Sequence, residues 1–459
     1  MSTQTLEIAR SALATSSAAL EIIGQNIANA NTPGYVRQRA VLAPIANSDP
    51  SGGTLTGGGV EILTVERLRN AALESQITHQ VGLQGQERGQ AESLARVETY
   101  FPDVTSSGIS QALGALFDSM NSLQATPDSI PARGEVVFAA QSFCSEMNNA
   151  SGKLTEESRL LESDLQEQVA RVNQLLHRVS DLNGQVTALG ASPQANDLKV
   201  TREESIRELA TLCGAAGLDQ ADGTQDVLLG GLRLVQGSSV TEVSLVADPA
   251  HPTQHQVAVG NVTQVDGLAG EIGGNIRARD TNLAGWQQSL DDLVATFADA
   301  LNARHQAGYD ANGQAGTAVF TYDAAAPAAT LQLAQTLVDD PSLLAVAGST
   351  DAAPGDAANL VNLLSLRQEK IMSGGTQTAE DYYGDLLYDI GAQAQRATDA
   401  GAARESLVAS LETQYANEAG VSLDEEAVEI MRFQQVYAAA TKLMQINNQM
   451  MDEMMGLLD

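Results

Sequence analysis

Two stretches at opposite ends of the chain share one hydrophobic rhythm. Leu6, Ala9, Leu13, Ser16, Leu20, Ile23 and Ile27 recur at alternating spacings of three and four, and so do Val436, Ala440, Leu443, Asn447, Met450, Met454 and Leu457. That alternation is the seam of a helix that packs along another helix. Both seams are thin, because Ala9, Ser16, Ala440 and Asn447 have little apolar surface to bury. A helix of about 25 residues spans only about 38 Å and is marginal alone. The two ends are therefore predicted to pair as a coiled coil, residues 1–40 with 420–459, at one pole of the molecule. Ser422-Leu423-Asp424-Glu425 reads as a capping box opening the second helix, and Gly420 as the stop of the helix before it.

Between the ends the helical period persists. Ile109, Leu113, Leu116, Met120 and Leu123 predict a short helix closed by Pro127. Leu154, Leu161, Leu165, Val172, Leu175, Val179, Leu182, Val186 and Leu189 keep one heptad register, with Ser158 and Gln168 at two seam positions, until Gly190. Further helices are expected over 275–306, with Trp286, Leu290, Leu293 and Phe297 on one face, and over 378–417. The rhythm changes to short β-prone runs from Gly217 to Val265. In the clearest, Asp226 to Val235, Gly230-Gly231 predicts a tight hairpin. Residues 309–355, rich in Gly, Ala, Pro and Asp, hold similar runs such as Ala318–Tyr322. The expected fold is mainly α with a β-rich insertion. A discontinuous long-helix bundle (41–200, 270–308 and 356–419) would carry a small β-rich outer domain (201–269 and 309–355).

Composition narrows the function. Aromatics make up 4% of the 459 residues, with Trp286 the single tryptophan, so the cores must be aliphatic. Fifty-seven acidic against twenty-five basic residues give a formal charge of −32, which disfavours nucleic acid and anionic membranes as partners. Cys144 and Cys213 have neither CxxC nor metal-ligand spacing, and whether they pair is open. The first residues lack a basic-then-apolar signal peptide, and no run approaches the roughly 18 apolar residues of a membrane span. This reads as cytosolic, or as export by a route that cleaves no signal.

Catalytic motifs of the HExxH, GxSxG, P-loop and Rossmann kinds do not occur, so neither catalysis nor a cofactor or metal is expected. His251 and His255 are four apart, but Pro252 intervenes and both read as solvated loop residues. His305 is accounted for by the helix end at Gly308. Asp310-Ala311-Asn312-Gly313 begins like a calcium loop without the later ligands, and so reads as a turn.

One stretch needs more than a structural explanation. Asn31-Thr32-Pro33-Gly34 has the chemistry to end the first helix. A helix stop, however, needs neither three asparagines (Asn26, Asn29, Asn31) nor the Tyr35 and Arg37 that follow. Asn29-Ala30-Asn31-Thr32-Pro33-Gly34-Tyr35 resembles the amino-terminal signature of the axial proteins of the bacterial flagellum. Gly270-Glu271-Ile272-Gly273-Gly274, His305 to Asp310, and Val421 to Glu426 with Arg432-Phe433-Gln434-Gln435 and Tyr437 resemble the hook-associated members of that family. The larger outer insertion that some members carry after a segment like Gly316–Phe320 is missing here.

The resemblance implies a structural protein that joins hook to filament and leaves the cell through the flagellar type III apparatus. The implied partners are copies of itself, the flagellar hook protein, a second hook-associated protein on the filament side and a cytosolic export chaperone. On this reading Leu13, Leu20, Ile23, Asn26, Ile27, Asn29, Asn31, Pro33, Gly34, Tyr35 and Arg37 form an assembly interface with Leu423, Phe433, Gln434, Tyr437, Leu443, Asn447, Met450, Met454 and Leu457. Tyr35 and Arg37 are expected to reach neighbouring subunits. Met444, Met450, Met451, Met454 and Met455 are adaptable packing groups or a chaperone-binding face. A hook or distal-rod protein is the alternative of the same class, and a secreted enzyme on an axial scaffold that of another.

Overall fold

The structure, a computed structural model, describes residues 2–32, 35–45, 57–101, 108–190, 192–249, 254–263, 265 and 267–456. Helix α1 (Ser2–Ala28) leads through strands β1 (Gln38–Pro44) and β2 (Val60–Arg67) into the helices α2 (Ala71–Tyr100), α3 (Ile109–Leu123), α4 (Ile130–Leu189) and α5 (Pro193–Cys213). Seven short strands follow: β3 (Ala216–Asp219), β4 (Gln225–Leu229), β5 (Leu232–Gln236), β6 (Ser239–Val240), β7 (Val243–Ala247), β8 (His255–Val259) and β9 (Val262–Thr263). Helix α6 (Gly270–Arg277) runs through a π-helical turn (Ala278–Leu283) into α7 (Ala284–Gln306). A loop region with β10 (Phe320–Thr321), α8 (Pro327–Thr330), β11 (Gln332–Leu333), α9 (Gln335–Asp339) and α10 (Ala358–Ser365) precedes the long helices α11 (Ala379–Ala419) and α12 (Leu423–Gly456).

Helix α4 is the spine. Its 60 residues span about 90 Å, starting 24 residues before the heptad register that the sequence displays. Arg133, Val136, Ala140, Phe143 and Met147 face inward over that first part. Its N-terminal half, up to Leu161, shares one core with α3, α7 and α11. There Phe143 lies 5.4 Å from Phe297 and 6.0 Å from Phe320, centroid to centroid, and Phe117 lies 6.0 Å from Phe297. The second half, from Leu165 to Val179, packs with α5 and the sheets β3–β6 and β7–β9 around Val227, Leu234 and Val257. Cys144 belongs to the first core and Cys213 to the second. Both are free thiols, and burial pushes each up to about 12.

Three expectations are corrected by this arrangement. Residues 201–213, grouped with the β-rich stretch, are the last turns of α5. The segments 201–269 and 309–355 do not form one outer domain: Val319, Phe320, Leu331 and Leu344 fill the first core, whereas the strands from β3 to β9 cover the second. Position along α4 decides which core each short run joins, and local composition carries no trace of it. The β4–β5 hairpin forms as expected, with Gly230 and Gly231 at φ 55° and 83°, a backbone that favours glycine. His255 is no solvated loop residue. It sits on β8 with Nδ1 2.5 Å from Glu162 Oε1, and Glu162 also binds Arg279 Nη1 at 2.6 Å from the π turn. His251 lies outside the described residues.

Helix α2 escapes the sequence pattern because the middle of its buried side, between Val81 and Leu94, is not apolar. Gly82, Gly85 and Gly89 face α5 and α6, while Gln90 bonds Asn282 of the π turn and Ser93 bonds Glu157 of α4. A Cβ on Gly85 would lie 2.3 Å from Thr211 O, and one on Gly89 2.8 Å from Glu271 O. The helices touch backbone to backbone, so hydrophobic periodicity has nothing to report.

Candidate assembly interface

The terminal helices do meet: α1 packs against α12 and, on another part of its surface, against the β1–β2 hairpin. Their contact runs along both helices, with Ala9, Ser16 and Ile23 buried on α1 and Ala440 and Asn447 on α12, and its polar bonds gather at its root, where the Asn-rich stretch turns. Asn26 is buried there and uses its whole side chain. Its Nδ2 donates to Gln38 O (2.9 Å) and to Glu426 Oε2 (3.1 Å), while its Oδ1 accepts from Gln38 N (3.0 Å) and from Tyr35 Oη (3.0 Å). One amide thus ties the end of α1, the start of β1 and the first turn of α12, elements 400 residues apart in the chain.

Arg37 completes the root. Its Nη1 pairs with Glu425, and its Nε lies 2.6 Å from Glu426 Oε1, close in charge but too far off line for a hydrogen bond. Its amide donates to Ala419 O at the end of α11. The expected capping box at Ser422–Glu425 is therefore replaced, since the Glu425 carboxylate goes to Arg37. A capping box forms instead at Thr378 and Asp381, opening α11. Gly420 does end α11.

Below the root a second set of charges holds the hairpin to the body. Arg67 makes a two-pronged bond to Glu203 of α5 (2.8 and 2.6 Å), and Arg69 binds Glu74, which also accepts from the Tyr415 hydroxyl of α11. Burial alone would raise the Glu74 pKa, yet the bonds from Arg69 and Tyr415 bring it below the usual value. Burial, then Glu74, raises Tyr415, and burial with Asp197 and Glu426 raises Tyr35. A cavity of about 570 Å³ opens between the root and these side chains, lined among others by Asn31, Tyr35, Arg69, Arg207 and Val421. Among the described residues no group of three or more His, Cys, Asp or Glu is placed to hold a metal ion.

The remaining interface residues divide. Ile23 is buried, Leu13, Leu20, Asn29 and Phe433 are partly so, and Asn447 is buried on the inner face of α12 with Ala440. Ile27, Asn31, Leu423, Gln434, Tyr437 and Leu443 are exposed, and so are Met450 (56%) and Met454 (51%). Pro33, Gly34 and Leu457, like the side chain of Met455, lie outside the described residues. The inner face of α12 runs through Glu426, Phe433, Ala440, Met444 and Asn447, rotated from the predicted seam. Val436, Leu443, Met450 and Met454 are left as an outward apolar stripe. Tyr35 and Arg37, expected to reach neighbouring subunits, are bonded within their own. Sequence reasoning missed the hairpin, Glu426 and the Arg67–Glu203 pair. Their partners are distant in sequence, and a lone Glu or Arg carries no periodic signal.

Comparison with known proteins fits this geometry. Residues 94–320 match the model of the flagellar hook-associated protein FlgK helical domain, and residues 6–35 that of the flagella basal body rod protein. Flagellar hook-associated protein 1 of Escherichia coli (strain K12) is 25% identical over 98% of this chain and 98% of its own. Its counterpart in Bacillus subtilis (strain 168) is 27% identical over 98% of this chain and 97% of its own. The solved structure of the flagellar hook junction protein FlgK from Burkholderia pseudomallei superposes with a TM-score of 0.66 at 15% identity. It covers 74% of this chain and 99% of that one, a likeness of fold.

Proposed function

Because the chain belongs to the flagellar hook-associated protein 1 family, a family of structural flagellar proteins, we propose that it is the subunit that joins hook to filament. It acts by shape and self-association and has no catalytic step of its own. The observation that carries this reading is the stripe of Val436, Leu443, Met450 and Met454, which α1 of the same subunit leaves uncovered. Apolar surface at that density is stabilised when a neighbouring helix removes it from water. In the assembled flagellum the stripe is covered by copies of this chain and by the hook protein and filament-side hook-associated protein that flank it. Before export through the type III apparatus a cytosolic chaperone covers it. No described helix is long and apolar enough to cross a membrane.

Immuno-electron microscopy of isolated flagella tests the placement. Label confined to the hook–filament boundary is expected, and label in the cell body or along the filament would overturn it. Met450→Ser with Met454→Ser should leave the thermal midpoint of the free chain unchanged and lower the amount retained in flagella. Deleting residues 440–459 should abolish capture by the chaperone.

A further inference from the structure

Self-association brings together copies of a chain with a formal charge of −32, so surfaces where copies meet must avoid facing like charges. The β1–β2 hairpin is such a surface. Its exposed charges are few and of both signs, Arg39 against Glu61 and Glu66, because Arg67 is turned inward onto Glu203. Arg39 and Glu66 pair only loosely, at 3.9 Å, with both side chains more than half exposed. A pair of that kind contributes little within the subunit and is free to re-pair across a contact. The sheet is two strands wide, so each strand has an edge without a neighbouring strand, and such edges accept a further chain.

The hairpin also presents an apolar anchor. Its inner side is fixed on α1, where Thr15 Oγ1 donates to Val60 O (3.1 Å) and Val60 N donates to Ser11 Oγ (3.2 Å). Pairing then slips: Val41 faces Thr64 and Leu42 faces Ile62, so Leu63 stands opposite no residue of β1. A bulge of this kind re-aims the extra side chain. Leu63 is 66% exposed, and Leu42 beside it is exposed as well. A single surface leucine is ordinary. Two of them on a two-stranded sheet that carries few exposed charges form an apolar patch beside α1, the helix that α12 also packs against.

We propose that the β1–β2 hairpin is a second self-association surface, occupied by another copy of this chain, with Leu63 as its anchor. The proposal rests on the self-association reading above. The test places the photo-reactive residue p-benzoylphenylalanine at position 63 of the full chain, irradiates isolated flagella and sequences the cross-linked peptides. An adduct between position 63 and a second copy is the expected result. An adduct only with a different flagellar protein, or none although an immunoblot of the same flagella shows the chain present, overturns the proposal and leaves the parent reading standing. Absence of the chain from the flagella overturns the parent reading, and this one with it. As a second variant, Leu63→Lys should keep the wild-type thermal midpoint while at least fivefold less chain is retained in flagella. A lowered midpoint, or wild-type retention, would assign Leu63 to folding or to solvent instead.

Discussion

Replacing Asn26 by leucine, a side chain of similar volume, should release the root of the terminal helices. Packing is largely preserved, so the loss comes from hydrogen bonds. The Gln38 amide and carbonyl lose their partners in a buried site, the Tyr35 hydroxyl loses its acceptor, and Glu426 loses a donor. A buried polar group left unpaired costs roughly 1–3 kcal/mol, and more when it is charged. Tyr35 is only partly buried and can turn to water, so its share is discounted. Because the groups share one hub their costs do not add, and about 3–5 kcal/mol is the expected total. The readout is native-state hydrogen exchange at Gln38, whose amide is held by Asn26 itself, together with the first turns of α12. A loss of about 4 kcal/mol is about a thousandfold faster opening. Exchange at Gln38 within threefold of wild type would refute the reasoning, since the hub would then carry no energy. Asn26→Asp separates the contributions. It keeps the acceptor for Gln38 and Tyr35 but sets a carboxylate against Glu426, so it should weaken the root at neutral pH and recover part of the loss on acidification.

Other outcomes follow from buried groups elsewhere. His305 is fully buried, with Nδ1 donating to Thr317 O (2.6 Å) and Nε2 accepting from Ala345 N (2.8 Å), an arrangement that only the neutral ring can make. Burial, helped by Arg133, lowers its pKa from 6.5 to about 4. The unfolded chain binds the proton first, so this stability is complete above pH 6.5 and is lost as pH falls towards 4, up to about 3 kcal/mol. Urea unfolding at pH 7 and at pH 4 should show that His305→Leu, weaker at pH 7, loses correspondingly less on acidification. Gly274→Ala should destabilise the α2–α6 contact by about 1–3 kcal/mol, because its Cβ would lie 2.1 Å from the backbone oxygen of Gln86. Thermal unfolding reads this, and an unchanged midpoint would mean that the two helices can separate freely. Tyr35→Phe, which removes one bond of the hub, should lower local stability by only about 1 kcal/mol.

Much of the fold could be read from periodicity. The terminal pairing, the second half of α4, the buried face of α7 and the Gly230-Gly231 hairpin were legible because each depends on residues a few positions apart. So was the resemblance to the axial family, carried by the heptapeptide at residues 29–35. Tertiary structure decided the rest. The middle of helix α2 packs through glycines and glutamines that have no hydrophobic period, and only a neighbouring backbone gives those glycines meaning. Which β-rich stretch joins which core depends on the route of the chain along a 60-residue helix. Tyr35 and Arg37 look like surface recognition groups in sequence, yet Tyr35 bonds Asn26 while folding brings Glu425 and Glu426 some 390 residues to meet Arg37, and a polar cluster becomes the subunit's own clasp. Local chemistry is written along the chain, whereas a polar side chain's role depends on which distant partner burial delivers to it.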